Sequence, residues 1–300
     1  MRRQILILMA LLLLLPACQK QGTLDLDGLA GQARGGDAAA CRELVALLAT
    51  PDTALGDRIY AMVIQVGEPL IPALLAQLTT TNADQRERVA AALGNLKAAQ
   101  AVPGLVAILA DSNLKRRYIA AWALGEIGAA EGITPLIAAL DDDNDQVRRH
   151  ATRSLIKFNQ SAVLPLLTAL SGANQRPAAG IVRVLGDIGD RRALEPLLQR
   201  VDGEIRGEVF LALGKLRDPR AESALITGLA DSDWQVRMNA AMALGPIGTP
   251  KSIPPLTVTL DDDVMVVREW SARSLSMLTG HEVEYRDATG VLVAPYNVYH

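Results

Sequence analysis

Large aromatic side chains and cysteine are scarce in this chain of 300 residues. Phe, Trp and Tyr together make up 3% of the sequence, which excludes a core built on large rings. Only two cysteines are present, so a framework of several disulfide bonds is excluded as well. Hydrophobic residues still account for 50% of the chain, which is therefore long enough and apolar enough for a large aliphatic core.

The chain also lacks an excess of charge of one sign and the usual sequence motifs of metal sites and enzymes. The chain has 30 basic and 33 acidic residues, a balance that is untypical of proteins that bind nucleic acids. Its three histidines, His150 on a predicted exposed helix position and His281 and His300 near the C-terminus, lack the spacing of a zinc site. The acidic run 141–145 does not continue as a calcium loop, because Gln146 stands where such a loop needs Gly. We therefore predict no catalytic residue, metal ligand or cofactor, and no nucleic-acid partner.

The N-terminus carries an unbroken apolar run at residues 5–15, preceded by two arginines. This run has the length of a signal peptide and is too short to span a bilayer. It ends in the sequence Leu-Pro-Ala-Cys, which resembles the lipobox of bacterial lipoproteins. The resemblance implies a signal peptide over residues 1–17 and a lipid anchor on the thiol of Cys18. The alternative is a plain secretory signal in which the cysteine is incidental. Gln19, where an inner-membrane lipoprotein carries Asp, favours the periplasmic face of the outer membrane.

A leucine recurs along most of the chain at a nearly constant interval. Successive copies are 31, 31, 30, 28, 31 and 31 residues apart, a period typical of helical solenoids. Each copy contains two stretches with apolar residues at helical spacing, and neither stretch is long enough to bury its apolar side alone. We call these residues the column leucines: Leu93, Leu124, Leu155, Leu185, Leu213, Leu244 and Leu275.

Two polar positions recur at fixed distances before the column leucines. An arginine lies seven residues before each of them except in the fourth copy, where Ala178 replaces it. These arginines are predicted to pair with acidic loops such as 141–143 and 261–263. Eleven residues before the column leucine, six copies carry a residue that is predicted to cap the first helix. The arginines are Arg86, Arg117, Arg148, Arg206, Arg237 and Arg268, and the capping residues are Asn82, Asn113, Asn144, Asn174, Asp202 and Asp233.

These columns resemble the HEAT repeat, especially the short bacterial HEAT-like repeats first described in phycobilin lyases, over residues 39–279. The resemblance implies an all-α fold, a right-handed α-solenoid of about seven to eight helix pairs. It says little about activity, because repeat arrays of this kind serve many unrelated tasks. Some HEAT-like enzymes hold a di-iron centre with His-Glu pairs in several repeats, and this sequence lacks such matched pairs.

The N-terminal part of the array departs from this pattern. Residues 18–38 are polar and rich in glycine, which predicts a flexible tether. Residues 37–50 and 55–66 are expected to form a degenerate first helix pair, because terminal repeats are usually atypical. Cys41 lies in an apolar helical run there and is predicted to be buried.

Local breaks are also predicted inside and after the array. In the second copy, Gly125 and Gly128 are expected to end the first helix. In the fourth copy, Pro177 and Gly180 predict a kink or a shortened helix. Residues 280–300 are expected to form a non-helical tail with a small hairpin that turns at the sequence Asp-Ala-Thr-Gly.

The positions two, five and six residues before the column leucine vary freely, which indicates that they face outward. They are polar or small in most copies, but three copies carry aromatic or methionine side chains there. Such side chains are typical of protein contacts, and the alternative is that neighbouring helices or the tail cover them. The predicted partner-binding residues are Tyr118, Trp122, Met238, Met242 and Trp270.

The sequence as a whole favours a membrane-anchored protein-binding scaffold of the bacterial cell envelope, without catalysis of its own. A protein partner and a membrane contact through the lipid on Cys18 follow from this interpretation. The alternative is a lyase-like or enzyme-maturation subunit that binds a small ligand in the groove of the solenoid.

Overall fold

The computed structural model describes residues 25–295, so the predicted signal peptide and Cys18 lie outside the described residues. Within this range the chain forms seventeen α-helices and a two-stranded antiparallel sheet. The elements are α1 (Leu26–Arg34), α2 (Ala38–Ala46), α3 (Thr53–Val66), α4 (Ile71–Gln77), α5 (Ala83–Asn95), α6 (Val102–Ala110), α7 (Tyr118–Ile127), α8 (Ile133–Ala138), α9 (Asp145–Phe158), α10 (Gln160–Gly172), α11 (Gln175–Ile188), α12 (Leu194–Leu198), α13 (Arg206–Leu216), α14 (Glu222–Gly228), α15 (Trp234–Ile247), α16 (Ile253–Val258), α17 (Met265–Thr279), β1 (Tyr285–Arg286) and β2 (Leu292–Val293).

The helices form two parallel rows, as the repeat period predicts. Odd-numbered helices, the first helices, pack on the next odd-numbered helix, and each even-numbered second helix packs beside them. Within residues 25–295 this arrangement contains eight helix pairs, followed by α17 as a ninth first helix. The all-α solenoid predicted from the sequence is therefore confirmed.

The core follows the leucine columns. Every column leucine is at most 3% exposed. One leucine in each second helix from α4 to α16 is fully buried: Leu74, Leu105, Leu136, Leu166, Leu197, Leu225 and Leu256. Helices of this length are marginal alone in water, so burial between neighbouring repeats is what stabilises them. Each leucine contributes about 1.5–3 kcal/mol by leaving water.

The glycine after most column leucines lies inside a helix, which corrects the prediction that Gly125 ends the first helix. α7 continues past Gly125 to Ile127, and Gly128, with φ of 72°, ends it. A methyl group on Gly186 would lie 2.8 Å from the Cα atom of Ala212 in the next first helix. Glycine is required here because adjacent first helices approach backbone to backbone.

The recurring arginines tie the repeats to their loops, and the predicted pairing with loop acids is confirmed in three copies. Arg206 pairs with Asp231 at 2.9 Å and Arg237 pairs with Asp262 at 2.7 Å, in each case with the loop that opens the next repeat. Arg117 pairs with Asp142 in the same way. In other copies the arginine instead donates to a backbone carbonyl six residues earlier: Arg86 to Thr80, Arg148 to Asp142 and Arg268 to Asp262.

The capping prediction holds for half of its residues. The side chains of Asn82, Asn144 and Asp233 accept hydrogen bonds from the first backbone N–H groups of α5, α9 and α15. Asn113 does not cap α7, because its backbone and side-chain N–H groups donate to Asp111 at 3.0 Å and the helix begins only at Tyr118. Asn174 makes no such bond, and Asp202 lies before a turn.

The tether predicted over residues 18–38 is wrong from residue 25 onward, because α1 and the start of α2 occupy this segment. Asp25 caps α1 by accepting from the backbone N–H of Gly28 at 2.9 Å. Leu26, Ala30 and Ala33 are buried, and α1 packs on α2 and α3. The first pair is therefore α1 with α2, and α2 also contacts α3 and α4. Cys41 is buried in α2, as predicted.

The break predicted in the fourth copy is also wrong, since α11 is continuous over Gln175–Ile188. Pro177 is the third residue of the helix, where its missing N–H has no intrahelical partner to lose. Gly180 costs about 1 kcal/mol of helix propensity, which packing on both sides offsets.

The predicted C-terminal hairpin is confirmed for the described part of the tail. Tyr285 pairs with Val293 and Arg286 with Leu292 in antiparallel register. Arg268 at the start of α17 donates to the backbone carbonyls of Arg286 and Asp287, which fixes the hairpin beside the last helix.

Candidate binding face on the first helices

The outward positions of the first helices share one side of the array, which we call the first-helix face. Position two before the column leucine is three residues from position five and four residues from position six. These three positions therefore lie on one side of each helix. Because successive first helices lie side by side, these positions form a surface that runs from α5 to α17.

The five predicted partner-binding residues all lie on this face and all are half-buried. Trp122 lies against α5, since a methyl group on Gly94 would be 3.1 Å from its ring. Tyr118 stacks on His150 of α9, with ring centroids 5.2 Å apart. The two aromatic residues of α7 therefore contact the repeats on both sides and still present part of each ring to solvent.

His150 is half-buried, and not exposed as the sequence suggested. Burial, with the charge of Arg153 as a second cause, lowers the pKa of His150. Its Nδ1 atom is buried and has no hydrogen-bond partner among the described residues. Both observations favour the neutral ring, which suits stacking on Tyr118.

The remaining predicted residues form a second apolar patch on α15 and α17. Met238 and Met242 lie one turn apart on α15. Trp270 of α17 carries the guanidinium of Arg273 at 4.8 Å from its ring centroid, in cation–π contact. Tyr118 and Trp122 thus form one patch on α7. The helices α9, α11 and α13 separate this patch from the one on α15 and α17.

A cleft lies between the two patches, and sequence reasoning did not predict it. Its origin is in α11, where Ala178, Ala179 and Gly180 occupy positions that carry Arg and larger residues in most other copies. α11 packs closely on Leu140, since a methyl group on Gly180 would lie 3.3 Å from that side chain. A cleft of about 670 Å³ opens between α9, α11 and α13. The signal in the sequence was two successive small residues at outward positions, next to an alanine in place of the recurring arginine.

The walls of this central cleft carry opposite net charges; the side of α9 and α11 has a basic excess, although Asp145 lies there beside Arg148. On one side, Arg149, Arg176 and Arg183 expose 66%, 58% and 53% of their side chains. On the other side lie the acidic residues Glu204, Glu208 and Asp233. Arg183 faces Glu208 across the cleft at 4.0 Å, which is too far for a hydrogen bond.

Residues 25–295 contain no group of three His, Cys, Asp or Glu side chains placed to hold a metal ion. No single helix of this range is long and apolar enough to cross a membrane; one bent pair, Thr53–Val66 with Glu68–Gln77, meets the length and composition that a broken span needs.

The sequence matches the model of the family described as HEAT repeats at residues 71–157, 133–204 and 198–276. These matches overlap and together extend over more than half of the chain. The chain therefore belongs to the HEAT-repeat family.

The chain is similar to solved structures of different sizes. Kap121p is 14% identical with a TM-score of 0.58, and the alignment covers 85% of this chain and 34% of Kap121p. Human deoxyhypusine hydroxylase in complex with glycerol is 22% identical with a TM-score of 0.38, over 85% of this chain and 100% of that one. The complex of CpcE and CpcF of phycocyanin lyase from Nostoc is 22% identical with a TM-score of 0.37, over 68% and 86%. At these identities the likeness concerns the fold alone. No curated protein matches the chain.

Proposed function

We propose that this protein is a scaffold that binds a protein partner on its first-helix face, in the envelope of a bacterial cell. The observation that carries the proposal is the pair of half-buried apolar patches, one around Tyr118 and Trp122 and one around Met238, Met242 and Trp270. Tyr118 and Trp122 are held by neighbouring repeats, and all five side chains keep part of their surface open. Rigid aromatic anchors of this kind lose little conformational entropy when a partner covers them.

The spacing of the patches favours an elongated contact. They are separated by three first helices, and a solenoid presents such distant residues on one continuous surface. The array that shares this fold in Kap121p has been solved bound to Ste12p, another polypeptide.

The envelope location rests on the sequence of the N-terminus. A lipid on Cys18 would hold the array at the membrane surface, since each acyl CH₂ contributes about 0.8 kcal/mol of membrane affinity. Gln19 supports the periplasmic face of the outer membrane as the destination.

The partner is tested by affinity capture of the full-length protein from detergent-solubilised envelope, followed by mass spectrometry. Trp122→Ala and Trp270→Ala are each expected to lower recovery of the same protein, and a melting curve of each variant checks that the array is still folded at the temperature of the capture. Leu164→Ala is the matched control, because this exposed apolar residue lies on the second helix α10. Unchanged recovery in both tryptophan variants would overturn the assignment of this face. A bound chromophore or metal in the purified protein would instead favour the small-ligand alternative.

The anchor is tested by labelling cells with radioactive palmitate. The wild-type protein is expected to take up label, and Cys18→Ser is expected to remain unlabelled and unprocessed. Label in the Cys18→Ser variant equal to that in the wild type would exclude the lipoprotein assignment.

A further inference from the structure

The central cleft has features of a binding site that the two apolar patches do not explain. Its volume of about 670 Å³ lies within the range of pockets that enclose ligands. In the fourth copy Ala179 and Gly180 replace the larger outward side chains of most other copies, and both line the cleft. The recess is thus built into the helix sequence, and it does not depend on a flexible loop.

The basic wall retains hydrogen-bonding capacity. Arg149 pairs with Asp145 at 2.7 Å and Arg176 pairs with Asp143 at 3.0 Å, each through one terminal nitrogen. A guanidinium has five N–H donors, so most donors on these side chains stay free for a carboxylate. Arg183 makes no hydrogen bond to Glu208 at 4.0 Å.

The carboxylates of the acidic wall have even fewer ion-pair partners than the arginines. Among the described residues, Glu204 and Asp233 form no ion pair, and Glu208 has only the distant Arg183. Asp233 accepts the backbone N–H of Gln235 as the cap of α15, and its nearest cation, Arg206, pairs instead with Asp231. A ligand with cationic groups on this side would supply the missing partners.

Two walls of opposite sign select against ligands of a single charge. Nucleic acids and phosphate-rich molecules would be repelled by the acidic wall. A polypeptide segment can carry acidic and basic side chains in separate blocks, and so match both walls at once. If the segment bound in the reverse direction, like charges would face each other and repel. The charges of the walls would therefore also fix the orientation of the segment.

We propose that the central cleft binds a mixed-charge segment of a polypeptide, with its acidic residues on Arg149, Arg176 and Arg183 and its basic residues on Glu204, Glu208 and Asp233. This inference rests on the proposed scaffold function and adds the chemistry by which one part of the partner is recognised. The apolar patches on either side then hold the flanking parts of the same partner.

The test measures fluorescence anisotropy of labelled synthetic peptides with the full-length protein. The block peptide EEEGSGKKK is expected to bind about fivefold tighter than the alternating peptide EKEGSGKEK, which has the same composition. It is also expected to bind tighter than EEEGSGEEE. Raising the salt concentration should weaken binding of the block peptide. Equal affinities of the block and alternating peptides would overturn the proposal, and so would tighter binding of EEEGSGEEE.

Variants locate the binding within the cleft. Arg149→Glu with Arg183→Glu, and separately Glu204→Lys with Glu208→Lys, are expected to abolish the preference for the block peptide. Arg42→Glu with Arg58→Glu alters the net charge by the same amount as the first pair on exposed positions of α2 and α3, and should leave the preference intact. Ala179→Gln fills the cleft with a neutral side chain and should weaken binding as well. Equal loss in the Arg42 and Arg58 control would overturn the proposal, since it would show that only net charge matters.

The two proposals fail in different ways. If no peptide preference exists while Trp122→Ala still loses the partner, the cleft inference is wrong and the scaffold function stands. If the peptide preference is present while neither tryptophan variant affects partner recovery, the apolar patches are not the contact and the cleft remains a binding site.

Discussion

At the scale of single residues, the array is held by side chains that recur once in every repeat. The column leucines fill the interior, and in three copies the arginine links its repeat to the loop of the next. The two kinds of residue differ in environment, since Leu124 is 1% exposed, whereas the side chains of Arg117 and Asp142 are 11% and 12% exposed. They should therefore differ in their contribution to stability.

Leu124→Ala is expected to lower the free energy of unfolding by about 2–5 kcal/mol, because it leaves a cavity between closely packed helices. Arg117→Ala should cost less, about 1–2 kcal/mol, since water reaches the ion pair that it breaks. Urea denaturation of both variants measures the difference. A larger loss for Arg117→Ala would show that the ion pairs contribute more than the leucine columns.

Asp218 is the residue for which a dependence on pH is expected. It is buried, and the guanidinium of Arg220, through hydrogen bonds of 2.8 and 3.0 Å, lowers the pKa of its carboxyl to about 2. The folded-state pKa lies below that of the unfolded chain, so the stabilisation is present above the unfolded value of about 3.9 and is lost as the pH falls toward 2. Arg220 is 59% exposed, which limits the effect to about 1–2 kcal/mol.

Asp218→Asn measures this contribution. The wild type should be more stable than the variant by about 1–2 kcal/mol near neutral pH, and the difference should shrink as the pH approaches 2. Urea denaturation at several pH values follows the difference directly. A difference that stays constant down to the lowest pH would contradict the assignment to the Asp218 carboxyl.

At the scale of helices, the period of the sequence predicted which elements exist, and side-chain detail decided the rest. α1 escaped prediction because Gly28 and Gly31 weaken its helical pattern, while its few apolar residues are buried only through contact with α2 and α3. Pro177 predicted a break in α11, yet its place in the first turn makes it harmless. Sequence spacing alone does not report the distance between helices, so the role of the recurring glycine also required the structure.

The glycine contact between first helices can be tested with two substitutions of the same kind. Gly186→Ala places a methyl group 2.8 Å from Ala212 and should destabilise the protein by about 1–3 kcal/mol. Gly207→Ala meets no atom within 4 Å and should be neutral or stabilising by up to about 1 kcal/mol, because alanine favours the helix. Thermal melts of both variants provide the comparison. Similar melting temperatures would contradict the close approach of α11 and α13.

At the scale of the whole molecule, the rows of first and second helices give the protein two different long surfaces. The sequence predicted the residues of the first-helix face, because positions that vary between repeats are free of the core. It left open whether neighbouring helices cover Tyr118 and Trp122, and it did not predict that α11 leaves a charged cleft between the patches. Both depend on how one helix settles on the next, as with Leu140 beside Gly180.

The central claim is that a protein partner covers the first-helix face, and site-specific photo-crosslinking in intact cells tests it most directly. A photoreactive amino acid replaces Trp122, Met242 or, as the control on a second helix, Leu164, whose side chain is 61% exposed. The account predicts that Trp122 and Met242 yield an adduct with the same protein and that Leu164 yields none. An adduct formed only from Leu164, or different adducts from the two patches, would contradict it.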